Sequence, residues 1–419
     1  MQLSQAELQA SARAEAWSMP VEQIDPGTPS YFENDTSLHY FARLRRDDPV
    51  HFCRSALYGP YWSITRFQDI MQVDTNHAAF SSDWSRGGIA ITDPPEGEGL
   101  QMFIAMDPPQ HDVQRKAVSP IVAPSNLANM QGLIRERTCR VLDSLPRNQT
   151  FNWVELVSIE LTTLMLATLF DFPLEDRRLL THWSDVATAN KDIDPRAPTR
   201  EQRLAELGEM LAYFTRLWNQ RVNEPPRSDL ISMLAHNPQT RNMTPREFMG
   251  NLTLLIVGGN DTTRNSMTGG LLALCERPAE WAKLRANPGL IENMVSEIIR
   301  WQTPLAHMRR TAVRDCEVGG RLIREGDKVV MWYLSGNRDE QAIPDADEFI
   351  IDRAKARQHL SFGFGIHRCV GNRLAEMQLR ILWEEIHRRF PVIEVVGEPV
   401  RVRSPFVRGF THLPVRIPA

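Results

Sequence analysis

A single cysteine lies in a glycine-rich segment, Phe-Gly-Phe-Gly-Ile-His-Arg-Cys-Val-Gly, from Phe362 to Gly371. Gly365 and Gly371 remove side chains where the backbone is expected to approach another segment closely. Leucines at helical spacing over residues 372–390 place Cys369 at a predicted helix N-terminus. Backbone N–H groups and the helix dipole there favour thiolate, the form that ligates metals. Cys369 is therefore a candidate metal ligand, and the alternative is a buried, unreactive cysteine.

The spacing Phe-x-x-Gly-x-x-x-Cys-x-Gly, with His367 two residues before the cysteine, resembles the haem-binding signature of the cytochrome P450 monooxygenases. The resemblance implies that Cys369 is the axial thiolate of haem b (iron protoporphyrin IX). It also implies that Phe362 packs against the sulfur and that His367 helps to hold a haem propionate, with Gly365 and Gly371 shaping the loop. An anionic sulfur ligand pushes electron density onto iron and favours O–O cleavage over reversible oxygen storage.

A second motif lies in a predicted long helix that begins at Thr244-Pro-Arg-Glu247, a capping box with proline at the first helical position. The pair Gly258-Gly259 could end this helix, since each glycine costs about 1 kcal/mol relative to alanine. Apolar residues at helical spacing resume at Met267, however, which favours a locally distorted helix that continues.

Gly258-Gly259-Asn-Asp-Thr resembles the oxygen-activation motif of the same family. By that resemblance, Gly258 and Gly259 leave room for O2 above the iron, Asp261 is the acid, and the Thr262 hydroxyl hydrogen-bonds the iron-bound oxygen. An Asp-Thr pair with ordered water can relay protons from solvent.

Buried haem propionates need cationic partners, for which bidentate arginine is suited. His111-Asp-Val-Gln-Arg115 resembles the family's distal His-x-x-x-Arg, and Arg310 and His367 match two further positions. The neighbouring Arg309 is an alternative, but the spacing to a following aspartate favours Arg310. Any one of these residues alone could be a solvated surface charge.

Glu297-Ile-Ile-Arg300 places opposite charges on one helix face, which by itself is most often a surface pair. In the family, Glu-x-x-Arg joins a second arginine in a buried network, and Arg353 matches that partner. The resemblance therefore implies that these three residues are structural support for the haem loop.

The elements that must position these residues are mostly helical. Apolar periodicity predicts helices at about residues 126–145, 154–169, 201–223, 244–276, 290–302 and 372–390, a hairpin within 50–66 around Tyr58-Gly-Pro60, and β-rich regions at 309–334 and 392–417. The resemblance implies the cytochrome P450 fold, which is mainly α with small β-sheets (α+β), in a single P450 catalytic domain expected over residues 1–419 without a fused reductase or ferredoxin. Residues 1–30 are expected to be partly flexible.

Composition is consistent with such an enzyme. The 419 residues are 42% hydrophobic and 24% charged, with a formal net charge of −4 and no apolar run long enough to span a bilayer. Five scattered cysteines and the absence of an apolar signal core predict a cytoplasmic protein. Neither nucleic acid nor membrane is an expected partner, and a monomer is expected.

Electrons are expected to come from NAD(P)H through another protein, which by resemblance to bacterial members is a 2Fe–2S ferredoxin fed by a ferredoxin reductase. Arg115, Lys116, Arg368 and Arg373 would give the thiolate-side surface the positive charge for docking an acidic partner, unless they are ordinary surface basicity.

For the substrate, residues 252–266 and 305–311 resemble the bacterial group that hydroxylates medium-chain alkanes and fatty acids at the terminal carbon. Five residues would supply apolar contacts: Leu255, Ile256, Leu305, Ala306 and Met308. An alternative substrate is a terpene or another small apolar ring compound.

Three other classes remain open. A haem sensor or electron-transfer protein would not need the Asp261-Thr262 pair, and peroxide-driven haem-thiolate enzymes tend to lack it. A zinc site from His359, His367 and Cys369 would lack an obvious fourth ligand.

Overall fold

The computed structural model describes residues 3–95 and 99–419. Helices dominate this part of the chain. Numbered in chain order, the α-helices of the described residues are α1 Gln5–Ser18, α2 Pro29–Glu33, α3 Ser37–Asp47, α4 Phe67–Thr75, α5 Gln110–Val118, α6 Pro124–Asp143, α7 Glu160–Phe170, α8 Arg178–Thr188, α9 Arg200–Arg221, α10 Leu230–His236, α11 Pro245–Cys275, α12 Pro278–Ala286, α13 Ile291–Gln302, α14 Tyr333–Gly336 and α15 Asn372–Arg389.

The strands are short. They are β1 Val50–Ser55, β2 Gly59–Ile64, β3 Phe80–Ser81, β4 Thr150–Asn152, β5 Met308–Ala312, β6 Cys316–Val318, β7 Arg321–Ile323, β8 Lys328–Met331, β9 Glu394–Val395, β10 Val400–Arg401, β11 Phe410–His412 and β12 Pro414–Arg416. The largest sheet has the order β1-β2-β8-β5-β3, in which β2 and β8 are parallel and the other pairs antiparallel. Smaller sheets join β10 with β11, β4 and β9 with β12, and β6 with β7. The expected α+β fold class is confirmed.

Each predicted helix is present, with ends that differ by a few residues. The segment predicted to begin at Val154 starts as a π-helix over Val154–Ile159 and continues as α7. The predicted hairpin is β1–β2, with Ser55 opposite Gly59 across the turn.

Helix α11 begins as the sequence predicts. The Thr244 hydroxyl accepts from the Glu247 backbone N–H at 3.2 Å, and the Thr244 N–H donates to the Glu247 carboxylate at 2.9 Å. The helix then runs unbroken through Gly258 and Gly259 to Cys275, which excludes a helix end at the paired glycines.

Two large apolar clusters pack on α11. One joins its C-terminal half to α13 and α15 through residues such as Leu271, Ile298 and Trp383. The other surrounds its N-terminal half with α7, α8, α9 and α10. Helix α11 is thus held from several sides, which fixes the face that it presents to the interior.

The N-terminal helix α1 packs through Ala12 and Ala16 against Tyr40 and Leu44 of α3. Across the described residues, none of the helices combines the length and the apolar character that crossing a bilayer requires.

Candidate active site

A cavity of about 1080 Å³ lies between α11, the start of α15 and the loop of residues 362–371, here called the cysteine loop. Cys369 and Phe362 line it on the loop side, and Gly258 and Thr262 line it on the α11 side. The two sequence motifs, more than a hundred residues apart, therefore face one cavity.

The cysteine loop is closed by a backbone hydrogen bond from the Cys369 N–H to the Phe362 carbonyl at 2.8 Å. Gly365 has φ +65°, and a Cβ there would lie 2.6 Å from the Asp74 carbonyl oxygen, so this position requires glycine. Gly371, at the N-cap of α15, has φ −89°, and no described atom would lie within 4 Å of a Cβ placed there. The expected close backbone approach occurs at Gly365 and not at Gly371, which lies on the cavity wall instead.

Cys369 faces the cavity, so its side chain is accessible although the sulfur lies inside the protein. Burial raises the pKa of the Cys369 thiol, while the backbone N–H groups of Gly371 and Asn372 and the nearby Arg115 and Arg368 oppose that rise. The groups expected to favour thiolate at the helix terminus are thus present, but burial has the larger effect on the pKa of the thiol.

Three of the four residues expected at the propionates line the cavity: Arg115, Arg310 and His367. His111 does not line it, but its ring centroid lies 4.4 Å from that of His367. Both ring nitrogens of His367 and Nε2 of His111 are buried without a hydrogen-bond partner in the described protein. Burial lowers the pKa of His367 to about 2 and also lowers the pKa of His111. Both imidazoles are therefore neutral. His367 keeps an unpartnered N–H to donate, whereas the N–H of His111 at Nδ1 donates to the Asp112 carboxylate at 2.7 Å and its buried Nε2 is an acceptor.

The choice between Arg309 and Arg310 follows from strand β5, in which successive side chains alternate between faces. Arg310 faces the cavity, whereas Arg309 points away and pairs with Asp93 at 2.5 Å. Arg310 is thereby kept as the candidate propionate partner.

Asp74, at the end of α4, is a buried carboxylate that carries no sequence signature. It accepts hydrogen bonds from the Arg310 guanidinium, the Tyr333 hydroxyl and the Phe364 backbone N–H, each at 2.8 Å. It therefore holds both the cysteine loop and a candidate propionate partner.

On α11, the Thr262 hydroxyl faces the cavity and donates to the Gly258 carbonyl at 2.9 Å. A Cβ at Gly258 would meet nothing described within 4 Å, so this glycine leaves open space in the cavity wall. A Cβ at Gly259 would lie 2.6 Å from Cδ2 of Leu166, so this glycine also permits close packing of α7.

Asp261 is fully buried, but it lies between α11 and α8 instead of on the cavity wall. Its Oδ1 accepts from the Ser184 hydroxyl at 3.1 Å and pairs with Arg264 at 2.9 Å, and Arg264 also reaches Asp185 at 2.6 Å. Oδ2 has no partner in the described protein. Burial raises the pKa of Asp261 to about 6, against the lowering by Arg264, so this acid can hold a proton near neutral pH.

The predicted support network is present and buried. Arg300 donates to both Glu297 oxygens at 2.8 Å, and Arg353 donates to Oε2 at 3.1 Å. Glu297 and Arg300 have no exposed side-chain surface. Arg300 also donates to the carbonyls of Asn337 and Ala346 at 2.7 Å, which ties α13 to the chain leading to the cysteine loop.

Of the five residues expected to contact substrate, Leu255, Leu305 and Met308 line the cavity. Ile256 packs into the core on the far side of α11, and Ala306 packs beside Val330 and Trp332. Neither lies on the wall, so both are dropped as candidate contacts. Sequence reasoning missed Val257, Thr263 and Phe406, which do line it.

The basic residues expected at a docking surface divide into two kinds. Lys116, Arg368 and Arg373 are exposed. Arg115 is half-buried, lines the cavity and donates to the Arg368 carbonyl. Arg115 therefore contributes to the cavity wall more than to the expected docking surface.

These residues fit a haem. The cavity offers a sulfur ligand, two guanidinium groups and a histidine whose buried ring nitrogens have no protein partner. Within residues 3–95 and 99–419, no group of three or more His, Cys, Asp and Glu side chains could hold a metal ion, so the zinc alternative finds no ligand set there.

The family model "Cytochrome P450" matches residues 51–415. The fold superimposes with a TM-score of 0.89 on cytochrome P450-153 from Novosphingobium aromaticivorans, at 48% identity over 94% of this chain and 99% of that one. Linalool 8-monooxygenase from Pseudomonas putida is 35% identical over 94% of this chain and 99% of its own length. Methyl-branched lipid omega-hydroxylase from Mycobacterium tuberculosis is 32% identical over 95% of both chains.

Sequence motifs, cavity and relatives thus agree, and the family recognised from the cysteine loop is confirmed. The chain belongs to the cytochrome P450 family and is a monooxygenase that uses haem b and NAD(P)H electrons delivered by redox partners.

Proposed function

We propose that this monooxygenase hydroxylates the terminal carbon of medium-chain alkanes or fatty acids. The observation that carries the proposal is the apolar wall formed by Leu255, Leu305 and Met308 in the cavity that Cys369 and Thr262 share. An alkyl chain gains about 0.8 kcal/mol for each CH₂ that such a wall buries. The likeness to the methyl-branched lipid omega-hydroxylase supports the same position of attack.

Haem bound by Cys369 supplies the oxygen chemistry. The residues of the chain then have separate tasks. Arg115, Arg310 and His367 would donate to the propionates of the bound haem, and the apolar wall excludes water and orients the chain end. The Thr262 hydroxyl is free to turn from the Gly258 carbonyl toward the cavity. Asp261, one residue before it on the helix, has a raised pKa and can take up and release a proton at its unpartnered Oδ2.

The task of Thr262 is tested by Thr262→Ala, with Thr253→Ala as the matched control. Thr253 lies on the same helix, lines the same cavity and makes the same kind of bond, to the Met249 carbonyl at 2.8 Å. We expect Thr262→Ala to keep haem and substrate binding while more NAD(P)H is lost to peroxide, and Thr253→Ala to keep the wild-type coupling. Unchanged product per NAD(P)H in Thr262→Ala would refute the role.

We also propose that the electron donor is a small acidic ferredoxin that docks on Lys116, Arg368 and Arg373. Exposed charges more than about 10 Å apart are screened at 0.1 M salt, so docking by them weakens as salt is added. Turnover with a 2Fe–2S ferredoxin should therefore fall steeply with ionic strength. A rate independent of salt would contradict this surface.

The substrate class is tested by spin-state titrations with alkanes, fatty acids and terpenes, followed by the position of the hydroxyl group in each product. A reduced, CO-bound spectrum of the thiolate type is the control for native haem ligation. Terminal alcohols from linear chains support the proposal. Tight binding of terpenes alone would favour the second candidate, a terpene hydroxylase, which the likeness to linalool 8-monooxygenase suggests.

A further inference from the structure

The cavity wall changes character where it reaches the end of α8 and the start of α9. Three cationic side chains and one acidic side chain of the cavity lining belong to this stretch of the chain: Lys191, Arg200, Arg203 and Asp192. The wall here is therefore charged, in contrast to the apolar wall near Thr262.

Arg203 differs from an ordinary surface cation. It is half-buried and lines the cavity. Its Nε donates to the Val186 carbonyl at 3.2 Å and one terminal nitrogen donates to the Ala187 carbonyl at 3.0 Å, both in the last turn of α8. No described carboxylate pairs with it, and burial alone lowers its pKa.

A buried cation without a counter-ion is costly, and a carboxylate that pairs with it offsets that cost. A guanidinium has five N–H donors in a planar fork that matches a carboxylate, and the two bonds to α8 leave three of them. Capping the α8 carbonyls explains the two bonds, but it does not explain why the group lines the substrate cavity.

We propose that Arg203 binds the carboxylate of a fatty-acid substrate whose methyl end lies beside Thr262. This inference rests on the proposed terminal hydroxylation and narrows it to anionic chains over alkanes. Arg203 is then a specificity-determining residue that fixes one end of the chain while the apolar wall orients the other.

The test compares dodecanoate with dodecane in the haem-loaded enzyme, by substrate-induced spin shift, for wild type and Arg203→Gln. A charge-assisted hydrogen bond is worth enough to change affinity about tenfold or more. We expect Arg203→Gln to raise the Kd of dodecanoate about tenfold and to leave that of dodecane within about twofold. Arg203→Lys should retain part of the preference, because it keeps the charge and loses the fork.

Arg137→Gln is the matched control. Arg137 also donates to a helix carbonyl, that of Leu164 in α7 at 2.6 Å, and burial lowers its pKa too, but it does not line this cavity. Its substitution should change neither Kd. Thermal unfolding and the CO spectrum show whether each variant is folded and correctly ligated.

Equal Kd changes for both substrates, an unchanged Kd for dodecanoate, or no binding of dodecanoate to the wild type would each overturn the inference. Failure of the proposed function has a different signature. In that case dodecanoate binds in an Arg203-dependent way, yet the product carries its hydroxyl group at an internal carbon.

Discussion

Replacing Asp74 by asparagine tests whether one carboxylate holds the cysteine loop and Arg310 together. The side chain is 2% exposed and accepts three hydrogen bonds. Asparagine has almost the same shape, but it can keep only one carbonyl oxygen and must place an NH₂ group against a donor. In the cheaper orientation the oxygen keeps Tyr333 and Phe364, and the NH₂ group meets the Arg310 guanidinium.

That orientation loses a charge-assisted bond, worth about 1.5–3 kcal/mol, and leaves the buried Arg310 cation without its anion. We expect a loss of about 3 kcal/mol in the free energy of unfolding. With an unfolding entropy of about 2 cal/mol/K per residue, this lowers the Tm of a chain of this length by about 3 °C.

The assay is thermal unfolding of the haem-loaded protein, together with the rate at which haem passes to a competing apoprotein. Haem loss should accelerate, because the loop that carries Cys369 and one candidate propionate partner are both loosened. Asp143→Asn is the control, since Asp143 also pairs with an arginine, Arg389 at 2.7 Å, but is 63% exposed. It should change stability by less than about 0.5 kcal/mol. A Tm for Asp74→Asn within about 1 °C of wild type would refute the reasoning.

Four other substitutions probe the site. The pKa of Asp261 is raised to about 6 in the folded protein, whereas the usual value of an aspartate is 3.8. Between pH 3.8 and 6 the folded state therefore holds a proton that the unfolded chain has released. The stability due to this group is greatest below pH 3.8 and is lost as the pH rises to 6. The unfolding free energy of wild type relative to Asp261→Asn, from urea titrations, should fall between pH 4 and 7, and a constant difference would contradict the raised pKa. Gly258→Ala should stabilise the fold by up to about 1 kcal/mol. In Gly259→Ala the new Cβ meets Leu166, so overpacking of about 1–3 kcal/mol should offset the same gain. Equal melting temperatures of the two variants would show that Leu166 moves aside without cost. Glu297→Gln should lower the free energy of unfolding by about 3–5 kcal/mol and should reduce the yield of haem-loaded protein. A variant with the yield and Tm of the wild type would show that Arg300 needs no buried anion.

Motifs whose residues lie close together in the chain could be predicted from the sequence. The cysteine loop, the capping box of α11 and the Glu297–Arg300 pair are each set by neighbours a few residues apart, and the structure places them as the spacing implies. The family resemblance added Arg353 and Arg310 to the candidate site, because it assigns places in the fold to residues that are distant from the motifs in the chain.

One of the two dropped candidate contacts, Ile256, failed for a reason that helical geometry could have supplied. Successive residues of a helix are about 100° apart, so Ile256, six positions before Thr262, points to another side of α11. The same geometry turns Asp261 away from the cavity that Thr262 faces.

Asp74, Ser184 and Arg203 could not be found from local patterns. A buried aspartate, a serine on an ordinary helix and an arginine near a helix start have no distinctive spacing. Their importance comes only from long-range partners, such as the Phe364 N–H and the Asp261 carboxylate.

The hydrogen bond between Asp74 and Phe364 can form only late in the synthesis of the protein. Its two ends are 290 residues apart in the chain. At about 5–20 residues per second, the ribosome needs on the order of 15 to 60 s to add that length. Through this interval the hairpin β1–β2 can form from its own residues, whereas the end of α4 must wait for its partners. The haem pocket can therefore close only after Phe364 and Cys369 have been made, and a shortage of haem would be felt only from that point of synthesis onward.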